Sequence, residues 1–135
     1  MFITETTIRV RYGETDQMGL AYYGNYAQYY EVGRVEALRT IGMDYKQVEE
    51  SGVIMPVVKM ECNFIRGAKY DDLLTIKTII QDLPVLKFHV HYEISNAEKV
   101  LINKGETTLV FIDAKTNKLI RCPEWILAKL KPFFS

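Results

Sequence analysis

Between Asn25 and Ile41 the apolar residues recur at helical spacing, and after Gly52 no comparable stretch repeats it. Tyr26, Tyr29, Tyr30, Gly33, Ala37 and Ile41 fall near one stripe, as a period of 3.6 residues requires. The spacing predicts one helix of about 17 residues, roughly 25 Å long. Asn25 with Gln28 three positions on predicts a capping box at its start, and Gly42 a C-terminal cap. Gly33 inside the helix costs about 1 kcal/mol relative to alanine. Its presence predicts a strand whose backbone approaches closely. Asp44 to Glu50 reads as a short second helix.

Around that helix the pattern is that of strands. Thr4 to Tyr12 alternates, with Ile8, Val10 and Tyr12 on one face. Val53–Phe64 and Leu73–Ile80 are two further strands. Leu86, Phe88, Val90, Tyr92 and Ile94 alternate with Lys87, His89, His91 and Glu93, a half-buried strand. Val100–Ile112 is another, and Leu119–Arg121 a short last one. Asp82–Pro84, Asn96–Lys99 and Asp113–Lys118 carry turn residues. Pro123 suits the first turn of a final helix, Glu124 to Lys131. The order is strand, long helix, then several strands on short turns. It predicts a single α+β domain over residues 1–135 with an antiparallel meander. One sheet on one helix leaves an edge and a face uncovered, so self-association is expected.

Composition excludes several classes. Lysine plus arginine and aspartate plus glutamate both number 17, a formal net charge of zero. A nucleic-acid-binding chain usually carries a basic surplus. No run approaches the ~18 apolar residues of a membrane span, and Met1-Phe2-Ile3-Thr4-Glu5 lacks the basic start of a signal peptide. Cys62 and Cys122 are too few for a disulfide framework or metal cluster. The expected home is the cytoplasm.

The chemistry concentrates between Arg11 and Tyr26. Asp16 follows the first strand, a loop containing Gly19 comes next, and the helix begins near Asn25. A helix start presents unpaired N–H groups at the positive end of its dipole. An acid beside such donors suits attack on a carbonyl carbon, because the donors can hold the developing oxyanion. Acyl transfer or hydrolysis is therefore expected. Asp16 would act as nucleophile or general base, with Tyr23, Gly24, Asn25 and Tyr26 supplying the oxyanion and substrate contacts. The competing role for Asp16 is turn capping. Glu31 on the helix is a rival acid, unless it simply pairs with Arg34 at i,i+3 or lies on a solvated helix face. Glu14 would point the same way as Asp16 in an extended stretch, either raising one of the two pKa values or merely facing solvent. Tyr22, Tyr26, Tyr29 and Tyr30 either line a channel or form helix core. His89 and His91 share a polar strand face with Lys87 and Glu93 and lack a third ligand at metal-site spacing. That face is expected to be solvated or a subunit contact, and no metal is expected.

The residues from Arg11 to Tyr26 resemble the 4-hydroxybenzoyl-CoA thioesterase branch of the hot-dog-fold acyl-CoA thioesterases. Glu14-Thr15-Asp16, Gly19, Tyr22, Asn25, Tyr26, Tyr29, Glu31, Arg34 and Glu36 stand at that branch's motif positions. Phe64 to Leu73, with Tyr70-Asp71-Asp72, fits its second motif before a strand. Tyr23 stands where many relatives carry histidine, and Gly67 where proline is common. The first departure argues against a histidine-assisted mechanism. The resemblance implies a hot-dog fold, one long central helix wrapped by an antiparallel sheet. It implies an acyl-CoA thioesterase that hydrolyses an acyl or aroyl thioester to the free acid and coenzyme A. It further implies Asp16 as the acting carboxylate and a site between subunits of a homodimer or homotetramer. Arg66 and Lys69 would be contacts for coenzyme A phosphates, and no cofactor is needed beyond the coenzyme A of the substrate. Some hot-dog thioesterases use a helical acid, which keeps Glu31 open. A thioesterase for acyl carrier protein, or a non-catalytic acyl-CoA-binding regulatory module, would use the same fold.

Overall fold

The computed structural model describes residues 1–134. Strand β1 (Phe2–Arg9) leads through two short 3-10 turns, Tyr12–Glu14 and Tyr23–Asn25, into the long helix α1 (Tyr26–Thr40). A short helix α2 (Tyr45–Glu50) precedes strands β2 (Val53–Ile54), β3 (Val57–Phe64), β4 (Leu73–Ile80), β5 (Lys87–Ser95), β6 (Leu101–Asp113) and β7 (Lys118–Ile120). Helix α3 (Glu124–Leu130) follows. The strands form one antiparallel sheet, β1-β4-β5-β6-β2, with β3 and β7 also paired to β6. This is the α+β wrap expected, with α1 packed on β1, β4 and β5.

Alternation decides which face is inside. Leu74, Ile76 and Ile80 of β4 and Phe88, Val90, Tyr92 and Ile94 of β5 are buried against Tyr26, Tyr29, Tyr30, Ala37 and Leu38 of α1. On the outer face Glu5, Lys77, Glu93 and Lys104 stand side by side across four strands, alternating in charge. His89 and His91 lie on this outer face, His89 against the Thr108 hydroxyl and His91 beside Glu106. The helical tyrosines are thus core; Tyr22, by contrast, is exposed.

A strand does lie close at Gly33, but it approaches through side chains rather than through its backbone. A Cβ there would lie 2.6 Å from Thr78 Oγ1 and 2.7 Å from Ile76 Cγ2. At the helix end Gly42 has φ +77°. Its N–H reaches the Arg39 carbonyl and that of Met43 the Leu38 carbonyl, a Schellman closure.

Four expectations fail locally. The stretch Val53–Phe64 is two strands, because Pro56 cannot donate to a ladder and the β3–β6 register shifts between Val57 and Lys59. Tyr12 leaves the face of Ile8 and Val10; it sits in the first 3-10 turn, exposed. Asn25 does not cap α1: its backbone is already αR and its side chain makes no cap bond. Arg34 does not pair with Glu31. It is buried, donating from Nε to the Tyr45 hydroxyl at 2.8 Å and from Nη1 to the Tyr92 hydroxyl at 3.0 Å.

Candidate active site

The segment between β1 and α1 is pinned at both ends. Thr15 pairs with Ala21, and Leu20 with Lys69, as isolated antiparallel bridges. Inside the loop, Asp16 Oδ1 accepts the N–H of Met18 at 2.9 Å and of Leu20 at 3.3 Å. These bonds are the turn-capping role anticipated for a loop aspartate. They use one oxygen. No described residue donates to Oδ2. Asp16 is half-buried and lines a cavity of about 270 Å³ with Met18, Leu20, Tyr23, Tyr26 and Phe64.

That cavity is walled by aromatic rings. Tyr26 and Phe64 meet edge to face at 5.3 Å between centroids, and Tyr23 meets Phe64 at 6.4 Å. Burial raises the Tyr26 phenol above its ordinary pKa, with Cys62 adding to the shift, so it stays protonated at neutral pH. Phe64 and Ile65 are wall residues that the sequence reading did not single out. They come from the end of β3, where Ile65 and Arg66 both donate to the Ile102 carbonyl. The ladder between β3 and β6, with the Leu20–Lys69 bridge and the Ala21 N–H on the Ala68 carbonyl, brings them to the loop, and spacing along the chain does not encode these pairings.

The four candidate donors at the helix start separate into two pairs. The Asn25 N–H is bonded to the Tyr22 carbonyl, and the Tyr26 N–H to the Tyr23 carbonyl. Among the described residues no acceptor takes the N–H of Tyr23 or Gly24. The 3-10 turn thus moves the uncommitted donors upstream of the α-helix proper. Asn25 itself faces away from the cavity: its Nδ2 donates to the Glu14 carbonyl at 2.7 Å.

Glu14 and Asp16 do not form a carboxylate pair. Glu14 Oε1 accepts the N–H of Arg11 and the hydroxyl of Tyr29, each at 3.0 Å, and Oε2 accepts Arg11 Nε at 3.0 Å. Burial pulls the Glu14 pKa up, but the Arg11 and Tyr29 hydrogen bonds outweigh it and hold the carboxyl below its ordinary value. The 3-10 turn over Tyr12–Glu14 replaces the extended backbone that would have aligned the two acids.

The remaining candidates scatter. Arg66 stands on the rim of the Asp16 cavity, whereas Lys69 does not line it; its backbone N–H goes to Asp72 Oδ2 at 2.8 Å. Glu31 is exposed and lines a different cavity, about 580 Å³, with Arg34, Arg39 and Tyr45. Among the described residues no three His, Cys, Asp or Glu side chains gather as a metal site. Among the described residues no helix is long and apolar enough to cross a membrane.

The chain is similar to known proteins over nearly its whole length. Residues 10–130 match the family model described as the thioesterase-like superfamily. The acyl-CoA thioester hydrolase YbgC of Shigella flexneri is 32% identical over 124 residues, covering 92% of each chain. A 1,4-dihydroxy-2-naphthoyl-CoA hydrolase of Nostoc punctiforme is 30% identical over 123 residues, covering 90% of this chain and 82% of that one. The crystal structure of DHNA-CoA thioesterase from Staphylococcus aureus superposes with a TM-score of 0.90 at 33% identity, covering 98% of this chain and 93% of that chain.

Proposed function

The chain belongs to the thioesterase-like superfamily, and from that premise we propose that it hydrolyses acyl-CoA or aroyl-CoA thioesters with Asp16 as the reacting carboxylate. One observation carries the reading. Asp16 has an oxygen free of protein partners on an apolar, aromatic-walled cavity, next to a turn whose Tyr23 and Gly24 N–H groups are uncommitted. The thioester carbonyl oxygen would sit on those donors, where negative charge develops in the transition state. Asp16 Oδ2 then attacks the carbonyl carbon and expels the coenzyme A thiolate. Water cleaves the resulting mixed anhydride and restores the carboxylate. On the second route Oδ2 takes a proton from the attacking water. Arg66 on the rim is positioned for a phosphate of the coenzyme A arm.

The cavity is smaller than the ~300–1,000 Å³ usual for ligand sites. We infer that a second copy completes it. Among the described residues strand β3 pairs only with β6 and is an open edge. Alongside exposed Lys59 and Glu61 it presents the apolar Val57, Val58, Met60 and Phe64, a surface that a second copy could cover. A homodimer is the smallest assembly that covers this edge.

Thiol release from a panel of acyl-CoA and aroyl-CoA esters tests the proposal, with wild type and Asp16→Asn in parallel. Turnover should fall ~10²–10⁴-fold in the variant while acyl-CoA still binds. Release that survives the substitution would transfer the role to Glu31. No release from any ester, with tight acyl-CoA binding, would identify a binding module instead. Turnover in ¹⁸O-water separates the routes, since label entering the Asp16 carboxylate requires the anhydride.

A further inference from the structure

We propose that Glu14 and Tyr29 are positioning residues that lock the Asp16 loop to helix α1 and so hold the reacting carboxylate in register with the oxyanion donors. The inference rests on the thioesterase reading above.

Glu14 is bonded through both its side chain and its main chain. Its carboxylate takes the Tyr29 hydroxyl at 3.0 Å and two Arg11 donors at 3.0 Å each. Its carbonyl takes the Tyr22 N–H at 2.8 Å and Asn25 Nδ2 at 2.7 Å. Tyr29 is buried in the body of α1. Tyr22 closes the loop that Glu14 opens, and Asn25 ends the turn that presents the Tyr23 and Gly24 N–H groups. One residue therefore ties together the two ends of the Asp16 loop, the donor turn and the helix.

Glu14 cannot act on substrate from there. It lies beside Arg11, Gly13, Asn25 and Gln28, in a depression separate from the cavity that Asp16 lines. Its side chain is only 13% exposed. The carboxylate is required because all three partners are donors. A glutamine would keep one acceptor oxygen and turn an N–H₂ toward a donor. Displacement of a reacting group by about 1 Å can cost ~10²-fold in rate, so the clamp should be visible in turnover.

The test compares kcat and KM of the intact protein carrying Glu14→Gln, Tyr29→Phe or both, on the best ester of the panel. Each single variant is expected to lower kcat ~10–100-fold with KM within about threefold of wild type, because acyl-CoA contacts are untouched. The double variant should be no worse than the poorer single one, as for two residues acting through one contact. Glu14→Asp should recover less than wild-type and more than glutamine-level kcat. Tyr29→Phe keeps the ring and the core, so it reports even if Glu14→Gln folds poorly. A role in folding alone would lower the melting temperature and leave kcat per folded site unchanged; that result, or a change confined to KM, overturns the proposal. An inactive wild type would instead remove the thioesterase reading beneath it.

Discussion

Gly33→Ala should destabilise this protein although alanine is the better helix former. The substitution gains about 1 kcal/mol of helix propensity. Against it, the new Cβ falls 2.6 Å from Thr78 Oγ1 and 2.7 Å from Ile76 Cγ2. Both atoms belong to β-branched side chains, which are stiff at χ1. Both sit on β4, fixed between β1 and β5. Relief therefore requires the helix to move off the sheet, and overpacking of this kind costs ~1–3 kcal/mol. With little freedom to yield, the upper part of that range applies, and the net loss is about 2 kcal/mol. At this chain length ~1 kcal/mol corresponds to ~4 °C in Tm, so a fall of about 8 °C is expected. Thermal unfolding and urea titration at matched protein concentration would measure it. Thr78→Ala in the Gly33→Ala background should return part of the loss. It removes one obstructing atom, the Thr78 hydroxyl, which is buried without a hydrogen-bond partner. A Gly33→Ala protein as stable as wild type, or more so, would refute the claim that steric contact keeps glycine here.

Three further outcomes are expected. Arg34→Ala should cost about 2–4 kcal/mol in urea denaturation, since it leaves the Tyr45 and Tyr92 hydroxyls short of a charged donor and opens a void. Burial, with Glu124 adding to it, pushes the Cys122 thiol up to about 12; an aromatic disulfide reagent at pH 8 should therefore spare Cys122 in the native protein and react with it only in denaturant. Glu14 carries a depressed folded pKa, so its stabilisation is present above the ordinary carboxylate value and lost as pH falls through the lowered one. The urea midpoint of Glu14→Gln should accordingly lie below wild type at neutral pH, and the gap should close under acid.

The long helix, the alternating strands and their order were legible because they are local periodicities. So was Gly33, as a glycine that the helix would otherwise reject. Asp16 was legible as a candidate through its place between strand and helix, and its role as the reacting carboxylate stands as the proposal made above. The misreadings share a cause. Asn25 and Arg34 each have a plausible partner three residues away, and each bonds instead 11 or more residues distant, Asn25 to the Glu14 carbonyl and Arg34 to Tyr45 and Tyr92. Glu14, by contrast, keeps its near partner Arg11 and adds Tyr29. Short-range spacing ranks the near partner first, whereas burial favours the partner that satisfies a desolvated group. Phe64 was hidden for a similar reason, since strand pairing rather than spacing carries it to the cavity.

Oδ1 of Asp16 is occupied in the turn, Oδ2 has no partner among the described residues, and the residue lines the cavity. An asparagine would keep the turn, because its carbonyl oxygen accepts the same Met18 and Leu20 amides. Only Oδ2 would become an N–H₂. On the proposed mechanism, a hydrolase and an inert acyl-CoA receptor on this scaffold are one nucleotide change apart, with the loop geometry common to both.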